Sequence, residues 1–222
     1  IAVVDGDRSF TYARIGDRIN SLARFFQARA IQPQDRISIL EVNSLAFLET
    51  YYAAAGIGAI LNPLNYRLAS NEIAFILRDS GSRWLVAGSR FASLVNGILE
   101  EDTPLEGIVW IGDSPSSDKK ITSYEYEKVI QTHAGHFKPI TLSEDDVAHL
   151  YYTSGTTGRP KGVMLTHKNA CLHALGTIAE LKLTDSDIWG HIAPMFHLAD
   201  AWAAFAITWV GGCHVMVAQF EA

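Results

Sequence analysis

Short runs of apolar and β-branched residues alternate with stretches of helical period along the whole 222-residue chain, and that alternation restricts the fold more than any other feature. Thr11 is placed to cap a helix whose apolar face runs Ile15, Ile19, Leu22 and Phe26, and Pro33 follows its end. Arg36 to Leu40 reads as a strand. Ser44 to Ala55 reads as a helix ended by Gly56, followed by the apolar run Ile57 to Leu61. Ser70 can cap a helix over Asn71 to Asp79 with Gly81 as its stop. Strand-like Trp84 to Ala87, helical Phe91 to Leu99 and strand-like Ile108 to Ile111 continue the series. Beyond the polar loop Gly112 to Lys120 come short patterns at Tyr124 to Ile130 and Val147 to Thr153, a helix after Thr166 and a strand at Ile188 to Ala193. Repeated units of this kind build an α/β fold: a layered, mostly parallel β-sheet with helices on both faces.

Charge and composition narrow the function. Eighteen Lys and Arg against 24 Asp and Glu give a net charge of −6, with no basic stripe to neutralise a phosphate backbone, so nucleic acid is not an expected partner. The two cysteines, Cys171 and Cys213, lie far apart, with neither metal-site spacing nor the density of a secreted disulfide scaffold. With no signal-peptide pattern at the start, the expected location is cytoplasmic.

Ala201 to Phe220 holds no Asp, Glu, Lys or Arg and is long enough to cross a bilayer as a helix. Gly211-Gly212 divides it, however, into a helical part (Ala201 to Val210) and a β-branched part (Val215, Val217), and His214 would be costly in lipid. A buried helix, a glycine turn and a core strand are expected instead.

Chemistry concentrates after the strand-like Val147 to Tyr152. The ten residues Thr153 to Gly162 contain four hydroxyls, three glycines and two cations. Glycines let the backbone approach an anion, successive N–H groups and hydroxyls donate to its oxygens, and Lys161 adds a compact positive charge. The pattern suits a nucleotide triphosphate tail. It is not the common P-loop: Gly155 and Gly158 are three apart, and Lys161 is flanked by Pro160 and Gly162.

The run from Tyr151 to His167, YYTSGTTGRPKGVMLTH, resembles the signature of the adenylate-forming superfamily, which comprises acyl-CoA synthetases, peptide-synthetase adenylation domains and beetle luciferases. Ala193-Pro194-Met195-Phe196-His197 resembles a second core motif of that family. Gly58 to Leu68, GAILNPLNYRL, resembles an N-terminal segment of its acyl-CoA synthetases. The resemblance implies ATP-dependent activation of a carboxylic acid, fatty acids above all, to an acyl-adenylate, then thioester formation with coenzyme A, helped by Mg²⁺. It assigns Thr153, Ser154, Gly155, Thr156, Thr157, Gly158 and Lys161 to the β- and γ-phosphates of ATP.

His197 matches the motif residue between the acyl pocket and the reacting carboxylate, and is the catalytic candidate. Outside that motif, a histidine at a strand end is more often a satisfied structural residue. Ala199, Asp200 and Trp202 are candidate acyl-pocket residues. An unpaired aspartate beside such a pocket would be unfavourable, so Asp200 is expected to cap the following helix or face water. His167, beside the N-cap candidate Thr166, reads as helix-entry structure. No substitute was found for the family's later adenine, ribose and catalytic-lysine motifs, so the resemblance implies that residues 1–222 are the N-terminal part of a large AMP-binding domain, inactive alone. A carrier-protein-linked acyl-AMP ligase and an inactive nucleotide-binding or oligomerisation module are the alternatives, and a homo-oligomer is compatible with each.

Overall fold

Capping chemistry sets several element boundaries directly. In the computed structural model, which describes residues 1–115, 121–153 and 159–219, the Thr11 hydroxyl accepts from the Arg14 N–H at 3.2 Å and opens α1 (Tyr12–Ala28). Ser44 does the same for Phe47 at 3.2 Å and opens α2 (Leu45–Gly56). Gly81, at φ 64°, closes α3 (Ser70–Ser80) in the left-handed region that favours glycine. Two boundary expectations are corrected. Ser70 is the first helical residue rather than the cap, and the Glu72 carboxylate takes up the Ala69 N–H at 2.8 Å. Gly56 lies inside α2; the left-handed turn falls two residues later at Gly58, φ 71°.

The remaining strands are β1 (Val3–Asp5), β2 (Arg8–Phe10), β3 (Arg36–Leu40), β4 (Ile60–Pro63), β5 (Ser82–Gly88), β6 (Gly107–Ile111), β7 (Thr122–Glu125), β8 (Val147–Thr153), β9 (Lys161–Thr166), β10 (Ile188–His191) and β11 (Cys213–Met216). The remaining helices are α4 (Ala92–Ile98), α5 (Tyr126–Thr132), α6 (His167–Leu181) and α7 (Leu198–Val210).

Seven strands form one sheet in the order β7-β6-β5-β3-β4-β8-β9, parallel except for the antiparallel β9. From β3 the chain adds β4 on one side, then returns to add β5, β6 and β7 on the other. The carboxyl ends of β3, β4, β5 and β8 therefore share one edge, where open α/β sheets place ligands at such a reversal. Both faces are covered. One apolar cluster joins Phe25, Phe26, Phe47 and Tyr51 of α1 and α2 to Ile37, Ile39, Leu61 and Val86; the other joins Ile73, Leu77 and Val95 of α3 and α4 to Leu40, Leu85 and Ile108. Burial on both faces explains why β3 and β5 read as continuous apolar runs.

The second sheet, β10-β11-β1-β2, was not expected from the sequence. Val3 pairs with His214 and Val4 with Val215, so three residues at the chain start are ordered by a strand more than 200 residues away. The expected glycine turn between α7 and β11 is present, with Gly211 at φ 80°. Among the described residues no helix is long and apolar enough to cross a membrane.

Candidate functional site

Strands β8 and β9 form the stem of the suspected anion loop. Their register sets Thr153 opposite Lys161, both exposed, at the carboxyl end of β8 on the ligand-facing edge. Ser154, Gly155, Thr156, Thr157 and Gly158 lie outside the described residues. Strand β9 itself was missed in the sequence, because the Val163-Met164-Leu165 run is short and merges with the helix start at Thr166.

His197 is the N-cap of α7: its Nδ1 accepts the Ala199 N–H at 3.1 Å. That bond requires a bare Nδ1, so the proton of the neutral ring sits on Nε2 and is available as a donor. The ring is exposed, as is Ala199. The turn that carries it is held by Asn43, a buried residue just after β3, whose amide donates to the carbonyls of His191 (2.7 Å) and Ala193 (2.8 Å) and accepts the Met195 N–H at 2.7 Å. Tyr51 of α2 adds a second tie. Its hydroxyl donates to the Met195 carbonyl at 2.9 Å, so the Tyr151 hydroxyl of β8 donates to Tyr51 at 2.7 Å. Tyr66, from the segment after β4, packs edge-on against Phe196 with ring centroids 5.1 Å apart. The three sequence segments that carry the resemblance thus meet around residues 193–197. Asn43 and Tyr51 gave no sequence signal beyond a polar residue at the carboxyl end of an apolar strand.

Asp200 departs from expectation. It neither caps α7 nor faces water: it is 2% exposed and accepts from Trp189 Nε1 at 3.1 Å and His191 Nδ1 at 2.6 Å. The line continues from His191 Nε2 to His214 Nδ1 (2.9 Å) and from His214 Nε2 to the Thr208 hydroxyl (3.0 Å). Burial, then His191, pushes the His214 pKa down to about 3. The carboxylate is therefore paired inside the fold, which removes the cost of burying it. His167 opens α6 as its first residue after the capping Thr166, as expected.

Two cavities flank the His197 turn. One, of about 340 Å³, lies between β8, α6 and α7; its walls include His149, Tyr151, Leu165, Leu198, Trp202 and Phe205. Ala199 and Asp200 are not among its lining residues; Leu198, Ala201 and Trp202 are. The other, of about 520 Å³, opens at the carboxyl ends of β3, β4 and β5 and is lined by Asn43, Tyr66, Arg67, Arg90 and Pro194 among others. Among the described residues no group of three His, Cys, Asp or Glu side chains could hold a metal ion.

A loop stem on the carboxyl edge of a mostly parallel sheet, an apolar cavity and a crevice with two arginines define an α/β domain with its cavities at the sheet's carboxyl edge. The chain belongs to the AMP-binding enzyme family, whose model matches residues 1–222. It is 32% identical over 217 residues to the crotonobetaine/carnitine–CoA ligase of Salmonella typhimurium, covering 97% of this chain and 42% of that one. Among solved structures it is similar to a long-chain-fatty-acid–CoA ligase from Archaeoglobus fulgidus (TM-score 0.88, 26% identity, 99% of this chain and 44% of that one). It is similar also to the inhibitor-bound N-terminal domain of FACL13 from Mycobacterium tuberculosis (TM-score 0.85, 29% identity, 99% and 54%). The chain spans about 42% of the length of the curated relatives it matches.

Proposed function

We propose that this chain is the nucleotide- and acid-binding part of an ATP-dependent ligase that activates an organic acid, fatty or related, as its acyl-adenylate and passes the acyl group to coenzyme A. A carboxylate is a poor acyl donor; attack of its oxygen on the α-phosphorus of ATP releases pyrophosphate and gives a carbonyl with AMP as a good leaving group. Most of what this asks of the protein is positioning and neutralisation of phosphate charge.

Thr153 and Lys161, with Ser154, Gly155, Thr156, Thr157 and Gly158 between them, grip the β- and γ-phosphates. His197 turns its Nε2–H to the acid's carboxyl group. The 340 Å³ cavity beside it takes the acid's organic part, and Arg67 and Arg90 in the larger crevice attract the phosphates of the nucleotide or of coenzyme A. The observation that carries this reading is the register that sets exposed Lys161 against Thr153 on the sheet edge where the 193–197 turn also lies. It is supported by relatives named as ligases of betaine-type and long-chain fatty acids. Mg²⁺ accompanies ATP in such chemistry and would neutralise phosphate charge.

The test is acid-dependent ATP–pyrophosphate exchange by the full-length protein that carries this chain, followed by thioester formation with free coenzyme A or a phosphopantetheinyl carrier. Lys161→Ala is expected to raise the KM for ATP about tenfold or more while the KM for the acid stays within about twofold. Equal effects on both would sink the triphosphate role. Residues 1–222 alone are expected to bind nucleotide weakly and to support no exchange.

A further inference from the structure

The wall of the apolar cavity contains a buried imidazole that neither the hydrogen bonds among the described residues nor the proposed chemistry uses. His149 sits in the middle of β8, on the same face as Tyr151, and is 4% exposed. Its ring stacks on Phe205 (5.2 Å, 29°) and meets the edge of Tyr51 (5.2 Å, 90°). Among the described residues neither ring nitrogen has a hydrogen-bond partner, and the ring borders the cavity. Burial, with a smaller contribution from His167, pushes its pKa down to about 3, so the imidazole is neutral at working pH and offers one donor and one acceptor.

Packing alone does not call for an imidazole here. Leucine would fill similar space between Phe205 and Tyr51 without turning two polar atoms, bonded by no described residue, to an apolar surrounding. The neighbouring polar atom is committed: the Tyr151 proton goes to Tyr51 and the Tyr51 proton to the Met195 carbonyl. The rest of the wall is apolar or aromatic (Leu165, Ala170, Leu198, Ala201, Trp202 and Phe205) except for Asn169 and His173 of α6, both exposed. Of His149, Asn169 and His173, only His149 is buried, and its donor and acceptor are both unclaimed among the described residues.

We infer that His149 is a specificity-determining residue that hydrogen-bonds a neutral polar group, such as a hydroxyl, on the organic part of the acid, so that the enzyme selects a hydroxylated acid over its plain hydrocarbon counterpart. This rests on the reading of the cavity as the acid's site. A second carboxylate is excluded as the preferred group, because a neutral imidazole supplies no charge to pair it.

The experiment measures acid-dependent pyrophosphate exchange by the full-length protein with two matched pairs: octanoate against 8-hydroxyoctanoate, and cinnamate against 4-hydroxycinnamate. The wild type is expected to favour the hydroxylated member of at least one pair about tenfold or more in kcat/KM. His149→Leu is expected to abolish that preference with the KM for ATP unchanged, and His149→Gln to retain part of it. If the leucine variant does not fold, the ¹⁵N resonances of the His149 imidazole decide: a shift on adding the hydroxylated acid but not its partner supports the inference, and no shift overturns it. With exchange running, equal rates within both pairs, or a preference that survives in His149→Leu, overturns the role of His149 alone. A folded protein that exchanges with no acid at all overturns the ligase reading, and this inference with it.

Discussion

His191 and His197 stand six positions apart, and the fold treats them in opposite ways. His191 is fully buried, with one nitrogen against Asp200 and the other against His214; its bonds end inside the protein. His197 is exposed, with Nδ1 tied down at the start of α7 and Nε2 without a partner among the described residues. The contrast teaches that residue type does not separate a histidine closed inside the fold from one left open to a ligand. What separates them is whether the second nitrogen already has a partner. His149 stands between the two cases, buried like His191 yet unpartnered toward the cavity.

The largest effect expected from this contrast is on stability. Asp200→Ala leaves His191 and Trp189 without their acceptor inside the protein and should cost about 3–5 kcal/mol in equilibrium urea unfolding. His197→Ala loses one exposed cap bond and should cost about 1 kcal/mol while greatly slowing adenylate formation. Similar stability losses for the two would remove the distinction. Next comes Asn43→Ala, which leaves buried backbone groups of the 191–195 segment unpaired. It should cost about 2 kcal/mol and raise the KM for the acid through the displaced His197 turn, with rescue by Asn43→Asp incomplete because a carboxylate cannot donate to the two carbonyls.

A separate effect is a dependence on pH. His149 and His214 have native pKa values of about 3, against about 6.5 when unfolded, so below pH 6.5 the unfolded chain takes up protons that the native chain does not. Stability is fully present above pH 6.5 and is lost as the pH falls toward 3, by about 1.4 kcal/mol per pH unit for each group. His149→Leu should remove one such contribution. The stability of the wild type relative to that variant should then fall by about this amount per unit between pH 6 and pH 4; a flat difference in urea unfolding would mean that His149 titrates as freely as in water.

Legibility in the sequence followed the range of the interactions. Thr11 and Gly81 act on groups within three or four residues, and their roles as cap and stop are those the sequence indicates, while Ser44, read as the first helical residue, is the cap one position before it. Ser70 and Gly56 misled because a neighbour, Glu72 or Gly58, satisfies the same local need slightly better. Of the candidate site, the strand leading to Thr153 and the cation at Lys161 were legible, whereas Asn43 and Tyr51 were not. Their partners at residues 151 and 191–195 lie 100 or more positions away.

The sequence by itself determined the alternation of helices and strands, the covered parallel sheet and the hydroxyl-rich segment after β8, because periodicity, caps and turn residues act over a few positions and need no distant partner. The tertiary structure alone decided that Val3–Asp5 would pair with Cys213–Met216, that Asp200 would be buried on His191 instead of lying in water, and that His149 would border an apolar cavity with neither nitrogen bonded among the described residues. Each of these depends on which remote segment excludes water from a side chain, and burial of that kind exists only once the layers have packed.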